Sequence, residues 1–180
     1  MKRSFVVLLT VLIILLGCSG SQTAVKSSYS QDKIVFAVLP LSVQPAGVEG
    51  SAKAASLIQK ALIEKISQTK NQVIKPDVVA AKMKELNISA SNLDREQVVK
   101  VGKALKADVG VFGVLDYRKG PESEKTEENF MVRIVAVDIK TGNEVWETRT
   151  GRIFNWNLDP EKSAKEIAAS FVSEIIYSAR

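Results

Sequence analysis

An almost entirely apolar run near the start of the chain limits where a folded domain can begin. Lys2 and Arg3 precede this run, and residues 5–16 carry no charged side chain. The run has 12 residues, whereas a helix that crosses a bilayer needs ~20. Cationic residues followed by a run of this length are typical of a secretion signal. We therefore expect the folded part of the chain to begin further on.

The end of the apolar run resembles the lipobox of bacterial lipoproteins. It has the sequence Leu15-Leu16-Gly17-Cys18, in which a small residue precedes a cysteine that takes a diacylglycerol. Cys18 is the only cysteine in the chain, so it cannot form an intramolecular disulfide. A buried free thiol is not favoured either, because Cys18 lies at the edge of a polar segment. The resemblance implies signal cleavage between Gly17 and Cys18 and lipidation of Cys18. Two or three acyl chains, such as palmitate, would anchor the protein stably.

The residue after the cysteine bears on the final membrane. By resemblance to enterobacterial sorting rules, Ser19 implies the outer membrane, with the domain facing the periplasm. An aspartate there would imply retention at the inner membrane, whose outer leaflet is the alternative location. Cleavage would remove Lys2 and Arg3 and lower the formal net charge from +5 to +3. Because so small a charge gives little attraction to phosphate backbones, we expect no nucleic-acid partner.

Two further segments follow the predicted signal peptide at residues 1–17. Residues 18–32 hold the cysteine and a serine-rich stretch with few large apolar side chains, which predicts a flexible tether. The 14 residues after the cysteine have a root-mean-square span of roughly 20 Å. Residues 33–180 are long enough for one α/β domain with a core and too short for two.

Hydrophobic periodicity predicts the element order β-α-β-α-α-β-β-β-α over residues 33–180. This order belongs to an α/β (α+β) fold, with a mixed central sheet that contains an antiparallel β-meander and is covered by helices. The predicted strands are 33–41, 72–75, 108–117, 130–138 and 144–150. The predicted helices are 51–68, 76 to about 86, 94 to about 105 with Asp94 and Gln97 as a capping box, and one beginning at Asp159. Polar turns are predicted at 118–128 and 140–143.

Several small residues predict close packing between layers. Gly110 and Gly113 lie within a predicted strand, where glycine often marks a neighbour that approaches the backbone. Gly102 and Ala104 are predicted to let the third helix lie close to the sheet. Of the two tryptophans, Trp146 is expected to pack in the core, although an exposed contact patch shared with Tyr117 and Trp156 is the alternative.

The order and spacing of four segments resemble a superfamily of bacterial envelope proteins. The segments are Val38-Leu39-Pro40-Leu41, residues 101–108, residues 111–114 and residues 132–142. The superfamily includes the amino-terminal domain of TolB, the curli secretion lipoprotein CsgG, the flagellar lipoprotein FlgO and the penicillin-binding-protein activator LpoB. The resemblance implies a module for protein interaction or assembly in the cell envelope.

A subunit of a CsgG-like secretion channel is an alternative within that superfamily. Such a channel inserts hairpins whose ~10-residue segments alternate apolar and polar side chains. The predicted turn at 118–128 is instead short and charged, which does not favour pore formation.

The composition does not favour catalysis. The chain contains no histidine, which removes the most common general base and metal ligand, and its sole cysteine is assigned to the lipid. No Walker sequence is present. We therefore expect no enzymatic activity, no catalytic residues, no cofactor and no metal.

Two loops leave small-ligand alternatives open. The segment Gly47-Val48-Glu49-Gly50-Ser51 precedes a predicted helix, where an anion can bind, or it is an ordinary loop with Ser51 as the helix N-cap. The acidic residues of the 118–128 turn could hold a cation or simply form a solvated surface. A small-ligand or metal-binding lipoprotein is therefore a further alternative.

Two segments are the candidate partner-binding sites. Glu122, Glu124 and Lys125 lie in the predicted turn, and Phe154 and Trp156 lie in an irregular segment that is expected to be partly exposed. The expected partner is an envelope protein or a second copy of the chain.

Overall fold

The computed structural model describes residues 33–47, 50–119, 128–147, 153–155 and 159–177. The predicted order of elements is confirmed, and two short strands and a 3-10 helix occur in addition. The elements are β1 (Val35–Val38), β2 (Ser42–Gln44), α1 (Ser51–Ser67), β3 (Gln72–Val73), α2 (Pro76–Glu85), the 3-10 helix (Ala90–Asn92), α3 (Arg95–Leu105), β4 (Val109–Lys119), β5 (Glu128–Asp138), β6 (Glu144–Glu147), β7 (Ile153–Asn155) and α4 (Pro160–Tyr177). Within these residues, no helix is long and apolar enough to cross a membrane.

The strands form one mixed sheet of seven strands in the described part of the chain. The main path has the order β3-β1-β4-β5-β6, in which β1 is parallel to β3 and β4. Parallel neighbours need a crossover, which α1 supplies between β1 and β3. The next three strands, β4, β5 and β6, are antiparallel neighbours joined in sequence. The predicted mixed sheet with an antiparallel meander is therefore confirmed.

The β4–β5 hairpin is the longest feature of the sheet. Each strand has 11 residues, and their pairing is continuous from Val109 opposite Asp138 to Lys119 opposite Glu128. At ~3.3 Å per residue the paired region is roughly 33 Å long. We call the end where β1 and β4 begin and β5 ends the base, and the opposite end the tip. The predicted turn at 118–128 was too long, because both strands continue into it; residues 120–127 lie outside the described residues.

Helices α1 and α4 cover one face of the sheet and enclose the larger core. The side chains of Phe36, Leu62, Ile134 and Phe171 are fully buried there. The apolar stripe of α1 is buried, except that Leu57 is half-buried; it comprises Ala54, Leu57, Ile58, Ala61, Leu62 and Ile66. On α4, Ile167, Ala168 and Phe171 are buried and Ile175 is half-buried.

Helices α2 and α3 cover the opposite face, and two glycines allow α3 to lie close to it. A Cβ atom on Gly102 would overlap the side chain of Ile139, and one on Gly110 would lie 2.5 Å from Cγ1 of Val98. These contacts confirm the predicted close approach. The prediction for Ala104 was wrong, because this residue is exposed. At 100° per residue, two positions on a helix separated by two residues point in nearly opposite directions.

Gly113 also lies where its neighbours leave no room for a side chain. A Cβ atom on this residue would overlap the backbone oxygen of Arg133 and lie 3.3 Å from Cδ2 of Leu41. The glycine therefore keeps β2 and its preceding loop close to the centre of the sheet.

The starts of two helices differ in how well the sequence predicted them. The capping box of α3 is confirmed, since Gln97 N donates to Oδ1 of Asp94 at 2.8 Å and Asp94 N donates to Oε1 of Gln97 at 3.3 Å. The predicted N-cap of α1 was wrong. Gly50, with φ 77°, is the capping residue, and Ser51 is the first helical residue and only 3% exposed. Glycine adopts this left-handed conformation without the strain that a Cβ atom would cause.

Candidate interaction surface

Strand β7 lies beside the tip half of the β4–β5 hairpin. Its residues pair antiparallel with β5, with Phe154 opposite Phe130 and Ile153 opposite Met131. Phe154, from one predicted partner-binding segment, therefore lies beside the hairpin strands that flank the other in the sequence. Phe154 is in β7. Trp156, Glu122, Glu124 and Lys125 lie outside the described residues, as do Gly17 and Cys18.

Strand β2 flanks the same half of the hairpin on its other edge. It pairs parallel with β4, with Ser42 opposite Val114 and Gln44 opposite Asp116. Ser42 is buried, and its Oγ donates to the backbone oxygen of Gly113 at 3.3 Å. The hairpin thus has one set of neighbours, β1 and β6, at its base and another, β2 and β7, at its tip half. We call the sheet formed by β2, β7 and the tip half of the hairpin the tip platform.

One face of the tip platform is partly open. Strand alternation places Val114, Asp116, Met131 and Arg133 on the side away from α1 and α4. All are half-buried except Arg133, which is exposed. The predictions had not singled out these residues. The only sequence pattern that could indicate them is their alternate spacing along a strand, and this pattern is weak evidence for any single residue.

An ion pair lies at the border between this open face and β6. Arg133 Nε lies 2.6 Å from Oε1 of Glu147, and the two side chains are 58% and 30% exposed. So exposed a pair contributes at most about 1 kcal/mol to stability. The pair links β5 to β6.

Trp146 lies on β6, at the edge of the sheet near the base, and packs against α4. This side chain is half-buried, and its ring packs edge-on against Phe171 with centroids 4.9 Å apart at 87°. Trp146 therefore joins β6 to α4, which confirms that it packs against the core.

The described side chains of the tip platform suit contact with another protein. They combine half-buried apolar groups with a carboxylate and a guanidinium, which is the mixture found at protein interfaces. In the described ranges, no three histidine, cysteine, aspartate or glutamate side chains are grouped closely enough to hold a metal ion.

No protein-family model matches the sequence, and no curated protein matches it by sequence. Solved structures do match its fold. The lipoprotein GNA1162 from Neisseria meningitidis is 13% identical over 82% of this chain and 99% of that chain, with a TM-score of 0.53. The LpoB C-terminal domain from Escherichia coli is 13% identical over 70% of this chain and 87% of that chain, with a TM-score of 0.48. TolB from Acinetobacter baumannii is 11% identical over 82% of this chain and 28% of that chain, with a TM-score of 0.45.

Identities this low bear on the fold alone. The match to GNA1162 extends over nearly all of that protein, so this chain shares the fold of GNA1162.

Proposed function

We propose that this chain is a lipid-anchored envelope protein that binds another protein through its tip platform. In this proposal the signal peptide is cleaved after Gly17, Cys18 carries the lipid, and residues 33–180 form one domain in the periplasm at the outer membrane. The partner is an envelope protein or a second copy of the chain. The domain has no enzymatic activity and acts as an interaction or assembly module in envelope biogenesis.

The observation that carries this proposal is the pairing of β7 with the tip half of β5. Phe154 lies opposite Phe130, at the end of the sheet furthest from Lys33. In the proposal, Phe154 and Trp156 act together with Glu122, Glu124 and Lys125, which lie between the two hairpin strands in the sequence. The fold shared with the lipoprotein GNA1162, over 99% of that chain, supports the same proposal.

Photocrosslinking in intact cells tests this proposal. A photoreactive amino acid at Glu124 should crosslink to a discrete partner or to a second copy, whereas the same amino acid at Asn143, near the base, should not. Reversal of the charges at Glu122 and Glu124 to lysine should abolish the crosslink. A crosslink of equal strength from Asn143, or none from any position at the tip, would contradict the proposal.

Trp156 is the proposed anchor of the contact. Large aromatic side chains supply most of the binding energy at many interfaces, and single charges at the rim supply little. Trp156→Ala should therefore weaken partner binding more than Glu122→Ala, Glu124→Ala or Lys125→Ala alone. Equal small effects from all four substitutions would show that Trp156 does not have this role.

The absence of catalysis and the absence of a channel each have a direct test. The purified protein should not hydrolyse nucleotides, peptides or glycans, and turnover abolished by one point substitution would contradict this.

Purified lipoprotein should not conduct ions across planar bilayers. Conductance together with a ring visible by electron microscopy would instead support the secretion-channel alternative.

A further inference from the structure

Asp108 joins three segments at the base of the sheet. Its backbone N donates to the oxygen of Val35 at 2.8 Å, and its Oδ2 accepts from Val35 N at 2.8 Å. Its backbone oxygen accepts from Ile139 N at 2.9 Å. The start of β1, the junction between α3 and β4, and the end of β5 therefore meet at one point.

Exposed lysines surround this point. Lys33 lies two residues before Val35, Lys106 lies two residues before Asp108, and Lys140 directly follows Ile139. Lys103 is in the last turn of α3, and Lys70 precedes Asn71, whose Oδ1 accepts from Ile34 N at 3.1 Å. All five lysines are exposed, and they come from four separate segments of the chain.

Three acidic side chains lie among these five lysines at the base. The carboxylate of Asp108 accepts from the backbone of β1. Asp138 is only 7% exposed, and its Oδ1 accepts from the backbone N and Oγ1 of Thr141 at 2.7 and 3.0 Å. Glu144, at the start of β6, is exposed. Five lysines and three carboxylates give this group of side chains a net formal charge of 5 − 3 = +2.

Stabilisation of helix ends explains only part of this pattern. A lysine in the last turn of a helix interacts favourably with the helix dipole, which accounts for Lys103. Lys33 and Lys140 lie outside helices. Their position beside the point where the tether joins β1 calls for another explanation.

We propose that the base of the sheet docks on anionic lipid headgroups. This inference rests on the proposed lipid anchor, because residues 19–32 then connect Lys33 to a cysteine held in the membrane. A flexible tether of this length would have a root-mean-square span of roughly 20 Å between Cys18 and Lys33. Lysines attract an anionic surface strongly once they lie within the Debye length, ~8 Å at physiological ionic strength. Docking of the base directs the tip platform, roughly 33 Å away along the hairpin, away from that membrane.

Reconstitution of the full lipidated chain tests the docking. Because Cys18 is the only native cysteine, an Asn143→Cys variant can be labelled at one site with a fluorescent dye. Asn143 is exposed at the base, and Asn92, in the exposed 3-10 helix, supplies the comparison as Asn92→Cys. A quencher attached to lipid headgroups should quench the dye at position 143 more in vesicles with 30% phosphatidylglycerol than in pure phosphatidylcholine. The dye at position 92 should show no such difference.

A triple variant identifies the lysines responsible. Lys103→Gln, Lys106→Gln and Lys140→Gln together should lower the ratio of docked to undocked protein by roughly 100-fold, since each lysine near an anionic surface contributes roughly fivefold. The matched control carries Lys53→Gln, Lys84→Gln and Lys165→Gln, three exposed lysines on other helices, and should dock as the wild type does. High salt should reproduce the effect of the first variant.

The outcomes separate docking from anchoring. Protein that does not float with vesicles at all would refute the lipid anchor. Protein that floats but shows equal quenching at position 143 in both kinds of vesicle would overturn the docking and leave the anchor intact. Equal loss of quenching in the two triple variants would also overturn it, because net charge alone would then explain the effect. Thermal unfolding of both variants checks that they remain folded.

Discussion

Nε1 of Trp146 donates a hydrogen bond to Oε2 of Glu174 at 2.8 Å and so ties β6 to α4. Oε1 of the same carboxylate accepts from Oγ of Ser170 at 3.0 Å, which fixes its orientation. The indole is therefore held both by this bond and by its edge-on contact with Phe171.

Substitutions at this pair should separate the two contributions. Trp146→Phe keeps an aromatic ring against Phe171 and should lower the free energy of unfolding by about 1 kcal/mol, whereas Trp146→Ala should lower it by roughly 2–3 kcal/mol because the indole is only half-buried. Glu174→Ala should cost no more than about 1 kcal/mol. Denaturant unfolding of the single and double variants measures the coupling. Additive effects of Trp146→Phe and Glu174→Ala would show that the hydrogen bond contributes nothing.

Alanine at position 102, within α3, is expected to destabilise the protein. Alanine normally stabilises a helix relative to glycine by about 1 kcal/mol. Here its Cβ atom would overlap Ile139, so Gly102→Ala should lower the free energy of unfolding by about 1–3 kcal/mol. Ile139→Val removes the closest atom and should recover part of that loss. The control is Ala104→Gly on the exposed side of α3, which should cost about 1 kcal/mol. A more stable Gly102→Ala protein would show that α3 can move away from the sheet.

The capping box of α3 allows a second matched comparison. Asp94→Ala removes the acceptor for Gln97 N and should lower the free energy of unfolding by about 1 kcal/mol. Asp77→Ala alters an acidic residue in the first turn of α2 that is not the N-cap, and should have the smaller effect. Thermal or denaturant unfolding measures both. If the two substitutions cost the same, the cap would add nothing beyond a favourable charge near the helix dipole.

Membrane association should depend on Cys18. Cys18→Ala should leave an unprocessed or unlipidated chain that no longer partitions with the outer membrane, because the acyl chains provide the proposed anchor. Ser21→Ala, in the tether, should partition as the wild type does. Membrane fractionation with mass spectrometry of the amino terminus provides the measurement. Mature protein in the soluble fraction of wild-type cells would contradict the lipid anchor.

The sequence predicted those parts of the fold whose cause is local. The Asp94–Gln97 cap depends on residues three positions apart, and the stripe of α1 depends on one helical period. Strands β2 and β7 were missed because each has three residues and exists through pairing with distant strands. The prediction for Ala104 was wrong because it grouped this residue with Gly102 as a small residue. Two positions apart on a helix, the two residues point in nearly opposite directions.

The candidate surface was only partly predictable for the same reason. The charged residues of 118–128 and the 154–157 segment stand out in the sequence, but the position of Phe154 beside the hairpin depends on its pairing with Phe130. The partly open face, with Met131 and Arg133, depends on which side of the sheet the helices cover. The sequence of a single strand does not indicate which face of the sheet the helices cover.

The unbroken register of the β4–β5 hairpin restricts how the chain can change in length. Every pair from Val109–Asp138 to Lys119–Glu128 follows the one before without a bulge. Deletion of one residue from the tip half of β4 would turn each later side chain of that strand to the opposite face. Insertions between 119 and 128 carry no such penalty. Natural variation and engineering should therefore alter the length of the chain between these strands and leave the length of the strands themselves unchanged.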